Sequence, residues 1–163
     1  NREVSLRRAA TECSKEDNMF KRILVPTDGT ERSANAVKGA AGFAKALGAE
    51  IVLVTVIEPY SYTNLSEYRP ETIEQYDERV TADAEERLDF AQRLCKDMGV
   101  ETVRTEMVKS FSPAEAIIEL AKLNHCDLIL MASHGRKGIA AVLLGSETQK
   151  VLTHSQIPVM VYR

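Results

Sequence analysis

The 163-residue chain contains no tryptophan and only three cysteines, and no apolar run approaches the ~20 residues that a membrane-spanning helix requires. Nor does an apolar segment follow the basic residues near its start, as a secretory signal would need. The cysteines, Cys13, Cys95 and Cys126, are far apart and odd in number. They suit reduced thiols in a cytoplasmic protein better than a disulfide framework or a zinc site. A basic excess is also missing. With 21 Lys and Arg against 24 Asp and Glu, the net charge is -3, which argues against a nucleic-acid partner. The phosphate-binding pattern GxxxxGK[ST] is absent, and no GxGxxG follows the first strand-like segment, which tells against P-loop and dinucleotide-binding sites.

What remains is ordinary for a globular domain: 44% hydrophobic and 28% charged residues, enough for one core without metal or disulfide staples. Residues 1–18 are mostly polar and lack strand alternation, so they read as a flexible or vector-derived extension. The folded domain is expected over residues 19–163.

Within that span strand and helix patterns alternate. Residues 20–26 carry the apolar run Ile23, Leu24, Val25 and stop at Pro26 and the turn pair Asp28–Gly29. Val37, Ala41, Ala44 and Leu47 recur at helical spacing, and Gly48 is placed to end that helix. Residues 50–57 are almost continuously apolar, as a strand covered on both faces requires. After a loop at 59–70, helical spacing runs from Val80 to Met98. Residues 101–109 read as an edge strand. Ser112, Pro113 and Glu115 predict a capped helix start. Residues 127–131 form another apolar strand, and residues 157–162 close the chain. This order predicts a single α/β domain: a doubly wound, five-stranded parallel sheet with helices on both faces. Ligands of such sheets bind beyond the carboxyl ends of the strands, where strand order reverses. Attention therefore falls on residues 26–29, 56–59 and 132–146.

The last of these is the most informative. It leaves a buried strand, passes Gly135, Gly138 and Gly145, and enters a helix expected to start near Ser146. The first turn of a helix offers unpaired N–H groups and the positive end of its dipole to an anion. Ser146 could donate its hydroxyl and cap the helix, and Arg136 and Lys137 add positive charge. The same glycines could simply shape turns. Asp28 could likewise be a turn former or a helix cap. His125 and His154 read as surface or helix-end residues, Cys126 as inert, and Tyr60, Tyr62, Tyr68 and Tyr76 as a mobile aromatic loop.

The spacing Ala132-x2-Gly135-x9-Gly145-Ser146 resembles the G-x2-G-x9-G-(S/T) nucleotide motif of the universal stress proteins, with alanine in place of the first glycine. The opening KRILVPTDGTERSANAV and the closing IPVMVY are similar to that family too, so the resemblance runs from about Met19 to Arg163. It implies an adenine nucleotide alpha hydrolase-like fold and bound ATP or another adenine nucleotide, with Mg²⁺ held by the phosphates. Asp28 and the backbone around Val56 would then contact adenine, and Pro26 and Thr27 would line the nucleoside pocket. Met131 and Ala132 would flank the ribose. His134, Gly135, Gly145, Ser146 and Glu147 would surround the phosphates, largely through backbone N–H groups. It also implies a homodimer formed through the final strand, Ile157 to Tyr162. The expected function is an ATP-binding dimeric stress-response module; the alternatives are a nucleotide-free dimeric interaction module and a slow ATPase. The HIGH and SGGxDS signatures of related ATP-using enzymes are absent, and no base or arginine finger is placed by spacing. Any hydrolysis is therefore expected to be incidental.

Overall fold

A computed structural model of the chain describes residues 19–61, 71–134 and 144–163. The segment at 1–18, with the extension expected there, lies outside the described residues. Five strands, β1 (Arg22–Pro26), β2 (Glu50–Ile57), β3 (Val103–Lys109), β4 (Leu128–Ala132) and β5 (Val159–Tyr162), form one sheet. Their order is β3-β2-β1-β4-β5, and every pairing is parallel. Four described helices connect them: α1 (Glu31–Leu47), α2 (Ile73–Asp97), α3 (Pro113–Leu123) and α4 (Ser146–His154). The chain winds outward from β1 through β2 to β3, then returns to place β4 on the other side of β1. The reversal thus falls between β1 and β4.

Strand alternation sorts the apolar residues into two layers. On one face Ile23, Val25, Ile51, Leu53, Leu128 and Leu130 pack with Val37, Ala40, Ala41 and Ala44 of α1 and with Leu88, Ala91 and Cys95 of α2. On the other, Leu24, Val52, Val54, Ile129 and Met131 pack with Ala114, Ile117, Ile118 and Ala121 of α3 and with Val151 of α4. The alanine-rich face of α1 lets that helix lie close to the central strands. The near-continuous apolar runs of β1, β2 and β4 are explained by burial on both faces.

The sheet's two edges are unlike. β3 spans seven residues and carries Arg104, Glu106 and Lys109, with Lys109 paired to Asp77 at 3.0 Å. β5 has four residues, none charged, and leaves Met160 and Tyr162 more than a third exposed.

Side-chain hydrogen bonds explain where elements begin. The Asp127 carboxylate accepts from the N–H groups of Lys21 (2.7 Å) and Arg22 (3.0 Å), so β1 begins at Arg22 rather than Phe20. Ser155 Oγ accepts from Ile157 N–H at 3.0 Å, forming a turn that delays β5 to Val159. Thr30 caps α1 by accepting from Ser33 N–H at 3.2 Å. Gly48, in the left-handed region at φ 65°, ends that helix. Thr72 and Gln75 form a reciprocal capping box at the start of α2.

Two sequence expectations need correction. Ser112 precedes α3 but makes no side-chain cap bond; its backbone, at φ -118° and ψ 81°, departs from usual N-cap geometry. Tyr76 belongs to α2, donates its hydroxyl to the Glu58 carbonyl at 3.0 Å, and meets Tyr60 edge-on with centroids 5.4 Å apart. It braces the exit of β2 instead of belonging to a mobile loop, whereas Tyr62 and Tyr68 lie outside the described residues. His125 and His154 do sit at helix ends, His125 with φ 52°.

Burial pushes the Cys95 and Cys126 thiols up from 9.0 to about 11. An unfolded chain would release these protons near pH 9 while the folded one keeps them, so this contribution to stability is lost as pH rises from 9 toward 11. With Cys13 replaced by serine, a thiol reagent at pH 8 should therefore leave the folded protein unmodified for hours. In denaturant it should label two thiols per chain.

Candidate functional site

A crevice of about 430 Å³ opens at the carboxyl ends of the strands, over the reversal between β1 and β4. Pro26, Thr27, Asp28, Val56, Met131, Ala132, His134, Gly145, Ser146 and Glu147 all line it. Gly135, the remaining candidate, lies outside the described residues, as do Arg136, Lys137 and Gly138. The wall also includes Ser33, Glu58, Ser110, Phe111, Pro113, Ile117 and Thr148. Apart from Glu58, which falls in the marked segment 56–59, sequence reasoning did not select these, because segments far apart in the chain bring them to the same edge. The Ser110–Pro113 cluster follows an edge strand, and its location at a strand's carboxyl end was the available signal.

The floor is rigidly held. Thr27 N–H donates to Val54 carbonyl at 2.8 Å, and the Thr55 hydroxyl donates to Thr27 carbonyl at 2.9 Å. Ser33 Oγ donates to Thr30 carbonyl at 2.9 Å, so the Thr27 hydroxyl, 3.2 Å away, is left to donate to Ser33. Asp28 is not the cap of α1. Its Oδ1 instead accepts from the N–H (3.0 Å) and hydroxyl (2.6 Å) of the capping Thr30. Gly29 follows at φ 78°, and a Cβ there would lie 2.8 Å from Cγ of Arg87. These constraints hold the first turn close beside the crevice.

The loop after β4 is tied at both ends. Ser133 N–H donates to Tyr162 carbonyl at 2.9 Å, while Ser133 carbonyl accepts from Gly145 N–H at 2.8 Å. The Thr148 hydroxyl donates to Ala132 carbonyl at 3.0 Å, closing the join between β4 and α4. Ala132 packs with the α1–α2 layer, so its methyl is absorbed by the core. His134 is 8% exposed, with Nδ1 3.1 Å from Ser133 Oγ.

At the start of α4 the structure corrects the expected roles. Gly145, not Ser146, occupies the cap position, and no side chain caps the helix. The Gly145 amide is already committed to Ser133. The N–H groups of Ser146, Glu147 and Thr148, which have no intrahelical acceptor, belong to residues that line the crevice. The Glu147 side chain has a role that local spacing did not suggest. Its Oε2 accepts from Ala114 N–H at 2.9 Å, capping α3 from another helix, and its Oε1 pairs with Lys150 at 3.0 Å. The carboxylate therefore satisfies the start of α3, which Ser112 does not. Among the described residues no group of three His, Cys, Asp or Glu side chains could hold a metal ion. No described helix is long and apolar enough to cross a membrane.

A parallel doubly wound sheet with its crevice at the strand reversal defines the general class of α/β protein. Within that class the chain belongs to the universal stress protein family, whose profile matches residues 19–163. It is 31% identical over 147 residues to Universal stress protein MJ0531 of Methanocaldococcus jannaschii, an alignment covering 90% of this chain and 84% of that protein. Among solved structures, it is similar to a universal stress protein in complex with cAMP, with TM-score 0.69 and 24% identity over 89% of this chain and 98% of the other. The universal stress protein of Archaeoglobus fulgidus in complex with dAMP superposes with TM-score 0.65 and 18% identity, covering 89% and 99%. Both likenesses speak to the fold.

The inter-helix cap gives a stability test. Glu147→Ala removes a charged acceptor from a part-buried amide and should cost about 1–2 kcal/mol, below the full value of such a bond because the carboxylate is partly exposed. Glu147→Gln retains an acceptor and should recover most of it. Chemical unfolding of the three proteins measures the difference.

Proposed function

We propose that the chain is an adenine-nucleotide-binding module of the stress-response type, with ATP as its expected ligand. The observation that carries this reading is the start of α4, which has no side-chain cap and whose first three residues line the same crevice as Val56 and Met131. A polyanion at one end and a flat apolar base toward the other match that arrangement. The crevice volume, about 430 Å³, lies within the usual range of small-molecule sites. The cAMP- and dAMP-bound neighbours support the ligand class, since both ligands combine adenine with one phosphate.

In this reading Asp28 and the backbone around Val56 recognise the base, Pro26 and Thr27 line the nucleoside, and Met131 and Ala132 flank the ribose. The phosphates meet the amides of Ser146, Glu147 and Thr148, with His134 and Gly135 beside them, and any Mg²⁺ travels with the phosphates. In this reading binding is the function and any hydrolysis is incidental.

Calorimetry with ATP, ADP, AMP and cAMP tests this. The protein should bind at least one of them, and the double change Gly135→Val and Gly145→Val should weaken binding at least about ten-fold while leaving the fold intact by circular dichroism. Failure of the unmodified protein to bind any adenylate would remove the proposal.

We further infer a homodimer through the closing strand, Ile157 to Tyr162. The short uncharged edge of β5 supports it, because an open apolar edge is stabilised by pairing with a second copy. Light scattering should give twice the monomer mass, and Met160→Arg should shift the population to monomer. A monomeric parent protein at micromolar concentration would rule the dimer out.

A further inference from the structure

Phe111 is 65% exposed although it lines the crevice. Single exposed apolar residues are ordinary on protein surfaces, and Phe90 of α2, 54% exposed outside the crevice, is such a case. Phe111 differs in its anchoring. The preceding Ser110 N–H donates to Ile57 carbonyl at 2.9 Å, and Ser110 Oγ accepts from Ser112 N–H at 3.0 Å. The backbone on both sides is therefore fixed, and α3 begins directly after at Pro113. A rigid turn holds a phenyl ring at the mouth of the pocket with most of its surface facing water.

Its position along the sheet indicates what the ring could cover. Strand order places β3 and β2 on the opposite side of β1 from β4. The Ile57–Ser110 hydrogen bond puts Phe111 beside the exit of β2, on the rim of the crevice that Val56 and Glu58 also line. A ligand whose base lies at Val56, as the nucleotide reading has it, would bring that base to the β2 side of the crevice, where this ring sits. A planar base there would cover apolar surface that is otherwise solvated, and base–aromatic stacking needs no hydrogen bond from the ring.

We propose that Phe111 is a base-stacking residue that governs how strongly the site favours a purine nucleotide over the phosphate-bearing part alone; this rests on the nucleotide-binding reading above. Because the ring is mostly exposed, its removal should barely change stability. Stacking lost by alanine substitution should weaken ATP binding by roughly five- to a hundred-fold. The chain has no tryptophan, so Phe111→Trp introduces a single indole reporter.

The test compares the parent protein, Phe111→Ala and Phe111→Trp by calorimetry with ATP, by thermal melting, and by indole emission on addition of ATP or inorganic triphosphate. Expected are weakened ATP binding by the alanine variant at unchanged melting temperature, near-parental binding by the tryptophan variant, and emission quenched by ATP but not by triphosphate. Equal ATP affinity in parent and alanine variant would overturn the role of Phe111 and leave the nucleotide reading standing. A lowered melting temperature with indole emission indifferent to ATP would also overturn it, showing that the ring supports the protein itself. No ATP binding by the parent would remove both readings.

Discussion

The site depends on how β4 is fastened to α4. Ser133 gives its N–H to Tyr162 and takes the N–H of Gly145, while Thr148 reaches back to Ala132. These short bonds join the last residues of a central strand, the closing strand and the first turn of a helix. The loop between residues 133 and 145 consequently starts and finishes at one place, whatever path it takes between. They also commit the Gly145 amide internally, which leaves the next three amides of the helix start, on residues that line the crevice, without an intrahelical acceptor. A helix start without a side-chain cap would ordinarily be satisfied by water or a ligand. Here the geometry of the sheet directs it toward a partly apolar cleft.

The start of α3 illustrates the opposite solution. Its orphan amide at Ala114 receives the Glu147 carboxylate from α4, and that carboxylate is balanced by Lys150. Two helix starts therefore approach the same crevice, yet the protein supplies its own anion to one of them. A single charge-assisted bond stabilises by about 1.5–3 kcal/mol when well buried, and by less at this partly exposed position. Its larger effect is positional, because it couples the relative placement of the two helices that form one wall.

The sheet was legible from sequence wherever burial is two-sided. Ile23–Val25, residues 50–57 and Leu128–Met131 are runs whose only common environment is the interior of a helix-covered parallel sheet. That a site would lie at the carboxyl ends of the strands followed from the alternation of elements, whereas the reversal between β1 and β4 came from the strand order of the structure. Boundaries were less legible because they depend on distant side chains: Asp127 terminates the β1 ladder from 105 residues away. Ser112 was misjudged as a cap for the same reason, and Ser146 because Gly145 holds the cap position beside it. Local spacing suggests caps within one helix, whereas Glu147 caps its neighbour 33 residues upstream. Phe111 gave no periodic signal, since a lone aromatic between two serines belongs to neither a strand nor a helix pattern.

The unequal margins of the sheet have a consequence for growth by strand addition. A protein whose two borders were equally receptive could recruit copies indefinitely and propagate into filaments. In this molecule the β3 border is lined with ionic groups, including the Lys109–Asp77 pair, and discourages a newcomer. The β5 border carries no charged residue, so in the proposed dimer both such margins would be consumed and strand addition would stop.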